Sequence, residues 1–135
     1  MRLEGKFAAA IHKQVSDYKE AEKDEKIQKR YGSMAYRLPI LVRSAGLAQA
    51  LAFVESKSKH EASHPYTYLL NHLAEVVIGN NDGKALAGQS RNADVQEYMY
   101  LTQRTMLALK WYKRFAETML GITPTTAGED GGGND

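Results

Sequence analysis

The chain has 135 residues, 43% of them hydrophobic and 25% charged, values that suit one globular domain and leave no room for a two-lobed enzyme with a cleft between domains. It contains no cysteine, which excludes disulfides, thiolate metal sites and thiol nucleophiles, and it has no apolar run of about 18 residues that would cross a membrane. All 18 Lys and Arg precede residue 121 together with 13 of the 16 acids, so the formal +2 of the whole chain is +5 over residues 1–120, mild enough to permit a nucleic-acid partner without demanding one.

The first residues, Met1-Arg2-Leu3-Glu4-Gly5-Lys6, lack the apolar stretch of a signal peptide, and the expectation is a cytoplasmic protein. From Leu3, apolar residues recur as Leu3, Phe7, Ala10/Ile11, Val15 and Tyr18, one helical face. Lys19 to Arg30 is charged, with Glu22/Lys26 and Glu25/Lys29 at helix-supporting spacing, so it reads as a solvated helix broken from the first near Ser16-Asp17. Residues Tyr31 to Ile40 lead into a long apolar helix ending near Lys57, with Pro39 at its start or at a kink. Its alanine-rich stripe of Leu38, Leu41/Val42, Ala45, Ala48 and Ala52, with Leu47, Leu51 and Val54 beside it, suits a central helix, and Gly46 allows close approach of a neighbouring backbone.

Lys57 to His64 is a polar loop, and Pro65 opens a helix carrying Tyr66, Leu69/Leu70, Leu73 and Val76/Val77. It stops at Gly79-Asn80-Asn81-Asp82-Gly83, and residues 84–91 are weakly helical at best. The last helix is expected from an Asn92 cap to Leu120, with a stripe of Val95, Tyr98, Thr102, Thr105, Leu109, Tyr112, Ala116 and Met119 and Gly121 as its terminator. The expected fold is therefore all-α: a compact bundle of five to six helices over residues 1–121, with a long C-terminal helix and a disordered Gly/Thr/acidic tail over 122–135.

One motif invites an enzyme reading. His60-Glu61-Ala62-Ser63-His64 matches the H-E-x-x-H pattern, which needs both imidazoles on one helical face holding zinc and the Glu as general base. Pro65 disfavours the helical conformation at His64, the flank Glu55 to Lys59 is polar, and the third ligand would have to be His72, Glu75 or a distant carboxylate. The competing reading has Ser63 or His64 capping the next helix. His12 and His72 are lone histidines within helices, no Ser sits in a nucleophile elbow, and no glycine loop follows a strand to cradle phosphate. The expectation is no catalytic residue, no metal and no cofactor.

The basic residues carry more. Lys29, Arg30, Arg37 and Arg43 cluster before and within the central helix, and Arg104, Lys110, Lys113 and Arg114 lie along the last one, interleaved with Tyr31, Tyr36, Tyr98, Tyr100, Trp111 and Tyr112. Such mixtures suit phosphate contacts, or equally solvated helix backs over a small aromatic core.

The stretch Lys29-Arg30-Tyr31-Gly32-Ser33-Met34-Ala35-Tyr36-Arg37-Leu38-Pro39-Ile40, continuing through Gly46-Leu47-Ala48-Gln49-Ala50-Leu51-Ala52-Phe53, resembles the small all-helical (fifth) subunit of the Cmr (type III-B) CRISPR effector complex, with its tyrosine, Leu-Pro and Gly-Leu-x-Gln-x-Leu-x-Phe. Tyr98-Met99-Tyr100-Leu101-Thr102-Gln103-Arg104 and Leu109 to Glu117 are similar to that family's final helix. The two stretches cover somewhat under half the chain. The resemblance implies a non-enzymatic subunit of an RNA-targeting antiviral complex, several copies of which stack as a minor filament beside the backbone subunits. It implies as partners those backbone subunits, the large polymerase-like subunit, further copies of the chain, and guide and target RNA, with no membrane. The eight basic residues are then candidates for holding the guide–target duplex. The alternatives are a protein–protein spacer without RNA contact, and a zinc metallohydrolase built on His60, Glu61 and His64.

Overall fold

The computed structural model describes residues 2–127, and among them it holds six long helices and no strand. Helix α1, Leu3–Ala21, buries the face read from its periodicity: Phe7, Ile11, Val15 and Tyr18. It runs straight through Ser16-Asp17, where a break was expected, because Asp17 takes an ion pair from Lys13 one turn earlier (2.8 Å) and so supports the helix. The break comes at Glu22 to Asp24. There the Gln28 amide donates to the carbonyls of Lys19 (2.9 Å) and Glu22, satisfying the end of α1. The Asp24 carboxylate accepts from the Lys26 N–H (2.9 Å) and starts α2, so the charged stretch is divided between two helices.

Helix α2, Glu25–Ala45, carries Pro39 in its interior, buried along with Tyr31, Met34, Ala35, Leu38 and Val42. The long helix expected to reach Lys57 is two helices. Gly46 takes φ +89°, a region that only glycine enters freely, and α3, Leu47–Ser58, begins beyond it. Gly46 has no side chain to cap α3. The Ala48 N–H donates instead to the Tyr98 hydroxyl (3.0 Å), and that hydroxyl would lie 3.1 Å from a Cβ at Gly46. The group that approaches Gly46 closely is thus a tyrosine side chain, not a backbone. The buried residues of α3 are Leu47, Ala50, Leu51, Val54 and Ser58, whereas Ala45 and Ala52, expected within the apolar stripe, are exposed.

Helix α4, Pro65–Ile78, opens on the proline as read, with Gly79 left-handed (φ +71°) at its end. Helix α5, Gly83–Asn92, is a real element where weak helicity was expected. Tertiary packing creates it: Leu86 and Ala87 are buried, and Gly83 seats so closely on α4 that a Cβ would fall 2.6 Å from the Leu70 Cβ. Helix α6, Val95–Leu120, is 26 residues and so roughly 40 Å long. Its cap is Asp94, which accepts from the Glu97 N–H (2.8 Å), since Asn92 is the last residue of α5. Val95 is 74% exposed, and the buried stripe starts instead at Leu101 and continues through Thr105, Ala108, Leu109, Tyr112, Ala116 and Leu120.

Past Gly121 (φ +70°) the chain folds back, the Ile122 N–H returning to the Ala116 carbonyl (3.0 Å). Residues 124–127 form a further helical turn, with Thr123 accepting from the Thr126 N–H. Ile122 and Ala127 are each 2% exposed, so the packed chain extends past the expected boundary at 121. Ile122 is apolar and reaches into the gap above Gly32, where a Cβ would meet it at 2.7 Å. The remainder of the expected tail, 128–135, lies outside the described residues.

One hydrophobic cluster draws on all six helices, with Tyr31, Tyr66 and Tyr112 fully buried in it. Helices α2 and α6 pack extensively and run antiparallel: Gly32 faces Leu120 and Ile122, Tyr36 faces Lys113, and Gly46 faces Tyr98. That pairing decides which basic residues meet.

Candidate nucleic-acid interface

The antiparallel seam between α2 and α6 leaves a groove of about 280 Å³ lined by Pro39, Arg43, Met106, Lys110, Lys113, Arg114 and Glu117. Four of the eight basic residues singled out in the sequence therefore share one opening. Helical spacing aims Lys110, Lys113 and Arg114 to one side of α6, and Arg43 arrives from the last turn of α2. Arg43, Lys110 and Arg114 are exposed. The Lys113 ammonium lies 4.9 Å from the centre of the Tyr36 ring and the Lys110 ammonium 5.6 Å from that of Trp111, so an aromatic ring attracts each charge.

Two carboxylates belong to this cationic edge. Glu117 lines the groove, and Glu4, in the first turn of α1, ion-pairs with Lys110 across 106 positions of sequence. The Lys110 ammonium holds the Glu4 carboxyl below its ordinary 4.5; desolvation opposes this, and Arg2 and the Trp111 indole add weaker pulls in the same direction as Lys110.

The other four basic residues lie apart from the groove lining. Arg104 donates from Nε to the Val77 carbonyl (3.1 Å) in the last turn of α4 and stacks over Phe7 (5.1 Å) and Tyr100 (5.4 Å). It closes a helix C-terminus, where a cation is favoured. The Arg30 guanidinium sits over the Tyr66 ring (5.5 Å), Arg37 is half-buried with Nη2 3.8 Å from the Met34 sulfur, and Lys29 is exposed near the start of α2.

The H-E-x-x-H segment is not helical. Lys59 and His60 both take left-handed conformations (φ +54° and +59°), Glu61 has no regular structure, and Ala62 and Ser63 form a turn. His64 is the N-cap of α4, its Nδ1 accepting from the Tyr66 N–H (3.0 Å), so the two imidazoles do not stand one turn apart on a helix face. His72 and Glu75, the suggested third ligands, are engaged elsewhere. The Tyr31 hydroxyl lies 2.7 Å from His72 Nδ1, and the Gln14 amide donates to the His72 carbonyl (3.0 Å) and to Glu75 Oε1 (3.0 Å). The Tyr112 hydroxyl donates to Gln14 Oε1, and Tyr18 stacks on Tyr31 at 4.4 Å. Burial lowers the His72 imidazole from its ordinary value and pushes the Tyr31 and Tyr112 phenols well up, so burial favours the neutral form of each. Among the described residues, no group of three or more His, Asp or Glu could hold a metal ion, and no helix is long and apolar enough to cross a membrane.

Residues 3–119 match the family model described as CRISPR-associated protein (Cas_Cmr5). The chain belongs to the CRISPR-associated Cmr5 family. It is 45% identical over 92 residues to the CRISPR system Cmr subunit Cmr5 of Thermus thermophilus, covering 67% of this chain and 75% of that one. It also superposes on the crystal structure of a CRISPR-associated Cmr5 family protein from the same organism, with a TM-score of 0.74 at 37% identity, covering 88% of this chain and 97% of the other. The Cmr5 match spans α1 to α6, so both motif stretches that carried the resemblance in the sequence fall within it. What sequence reasoning missed is the carboxylate that pairs with one of the groove's cations: nothing in the local pattern links Glu4 with Lys110, and only the docking of α1 on α6 does so.

Proposed function

We propose that this chain is a non-catalytic structural subunit of a cytoplasmic Cmr (type III-B) CRISPR effector complex. Copies of it stack as a minor filament beside the backbone subunits, near the large polymerase-like subunit. Its groove between α2 and α6 contacts phosphates of the guide–target RNA duplex during antiviral defence. The observation that supports this most is the convergence of Arg43, Lys110, Lys113 and Arg114 on one opening. Double-stranded RNA is recognised by shape and backbone contacts, for which a short row of cations on a rigid helix suffices. One such domain touches two or three phosphates and binds in roughly the 10⁻⁴ to 10⁻⁶ M range, and repetition along a filament turns this into useful avidity.

The test is to replace Arg43, Lys113 and Arg114 by Glu and to measure target-RNA retention by the assembled complex at several salt concentrations. Retention falls at least tenfold, and the slope of log affinity against log salt becomes shallower by about two to three. Unchanged retention at every salt removes the RNA contact.

A second reading, a protein–protein spacer without RNA contact, draws on a different patch. Val95, Met99 and Tyr100, in the first two turns of α6, are 74%, 56% and 55% exposed, and such apolar groups suit a subunit contact. That reading gains if the triple variant keeps its RNA while Val95→Asp with Tyr100→Asp abolishes co-purification with the backbone subunits.

A further inference from the structure

We infer that Glu4 is an internal competitor for the phosphate-binding position at Lys110, a carboxylate that RNA must displace and that tunes how readily the groove engages an anion. The inference rests on the reading of the α2–α6 groove as an RNA contact and adds a regulatory element to it.

The geometry carries the argument. Lys110 is the groove cation nearest α1, and its ammonium is held by Glu4 Oε2 while its side chain remains 61% exposed. Glu4 is itself anchored, at 35% side-chain exposure, in the first turn of a helix that packs along α6. Glu4 does not itself line the groove; its carboxylate takes one of the three N–H donors of the Lys110 ammonium and draws that charge toward α1, so a phosphate must compete for it. The carboxylate is also well suited to wait there. The N-terminal end of α1 favours a negative side chain, and Lys110 holds the carboxyl ionised below its ordinary range. The groove thus carries one cation that is occupied in the free protein, beside Arg43 and Arg114, which reach solvent.

Exchange is physically easy. An exposed ion pair contributes little in water, and a phosphate of a duplex is more highly charged in its surroundings than a lone carboxylate. The consequence is graded rather than all-or-none: the first phosphates land on Arg43 and Arg114, and Lys110 joins only when Glu4 lets go. Glu117 is the natural comparison, because it lines the same groove.

The experiment is fluorescence anisotropy of a short labelled RNA duplex with the full chain, over a series of salt concentrations, for wild type, Glu4→Gln, Lys110→Gln, the double variant, and Glu117→Gln. Circular dichroism and a thermal melt on each variant check that it is folded. Glu4→Gln is expected to tighten binding about two- to fivefold at low salt and to steepen the salt slope by about one, as one more lysine becomes available to phosphate. Lys110→Gln weakens binding, and adding Glu4→Gln to it restores little, because the competitor has lost its target. If Glu4→Gln tightens binding equally in the Lys110→Gln background, or no more than Glu117→Gln does, the effect is one of net charge and the competitor is overturned. If Lys110→Gln weakens binding while Glu4→Gln changes nothing, the competitor is likewise overturned and the groove survives. If neither Lys110→Gln nor an Arg43→Gln/Arg114→Gln variant alters binding, the reading of the groove itself fails.

Discussion

The tyrosine–histidine cluster and the basic groove draw on the same pair of helices, and they use polar groups in opposite ways. In the cluster, Tyr31 from α2 and Tyr112 from α6 are fully buried, and Gln14, His72 and Glu75 meet them so that hydroxyl, ring nitrogen, amide and carboxylate are mutually satisfied. In the groove, Arg43 from α2 and Arg114 from α6 are exposed to water beside Lys110 and Lys113. A buried polar group left unpaired costs about 1–3 kcal/mol, whereas an exposed cation costs almost nothing. The difference teaches where stability and binding reside in so small a domain: closure of hydrogen bonds at one site, charge left available at the other.

The comparison breaks most sharply at Tyr31. Truncation to Ala removes a fully buried ring stacked on Tyr18 and orphans His72 Nδ1, and it is expected to cost about 3–5 kcal/mol in urea unfolding. A loss under 1 kcal/mol would show that the cluster is not the keystone described here.

Acid probes the same cluster more gently. The His72 imidazole is lowered from 6.5 because burial outweighs the opposing pull of Glu75 and Asp17. The unfolded chain therefore binds the proton more readily, so the stability this residue contributes is present above 6.5 and declines as pH falls through the lowered folded value. Wild type should lose thermal midpoint on moving from pH 7 to just below 6.5, and His72→Gln should flatten that dependence. An equal slope in both proteins contradicts the assignment.

The smallest effect is expected at the groove. Arg43→Gln with Arg114→Gln should change unfolding free energy by no more than about 0.5 kcal/mol, as for surface sites without buried partners, while RNA retention drops. A large loss of stability would mean these arginines hold the fold together rather than waiting for a partner.

The elements that could be read in advance were those whose pattern is long and regular. The Pro65 to Gly79 segment defines α4 almost to the residue, and the steps from Phe7 to Tyr18 define the buried face of α1, though not where it ends. The division of α2 from α3 escaped because Gly46 lies within an apolar, alanine-rich run that continues the helical period on both sides; only its positive φ and the docking of Tyr98 separate them. Helix α5 escaped for a different reason: Gly83 and Gly88 bracket only four strong helix formers, Lys84 to Ala87, a segment too short to hold a helix alone, and it is helical because Leu86 and Ala87 reach the core. The groove was half legible. Both basic clusters stood out by spacing, but the antiparallel pairing of α2 with α6 selects Arg43, Lys110, Lys113 and Arg114 and assigns Arg104 to the end of α4. No local pattern distinguishes a cation that binds a carbonyl from one that faces water.

The tyrosine that takes the place of a cap at Gly46 has a bearing on the order in which the molecule assembles. A helix normally carries its start signal in its own first residues, and α3 does not; the N–H of its second residue, Ala48, is answered from 50 positions further along the chain. Nucleating a 12-residue helix is unfavourable in isolation, and closing so long a loop has its own entropic cost. The first turn of α3 is therefore completed only when the start of α6 is docked beside it, while its later turns are held by the burial of Ala50, Leu51 and Val54.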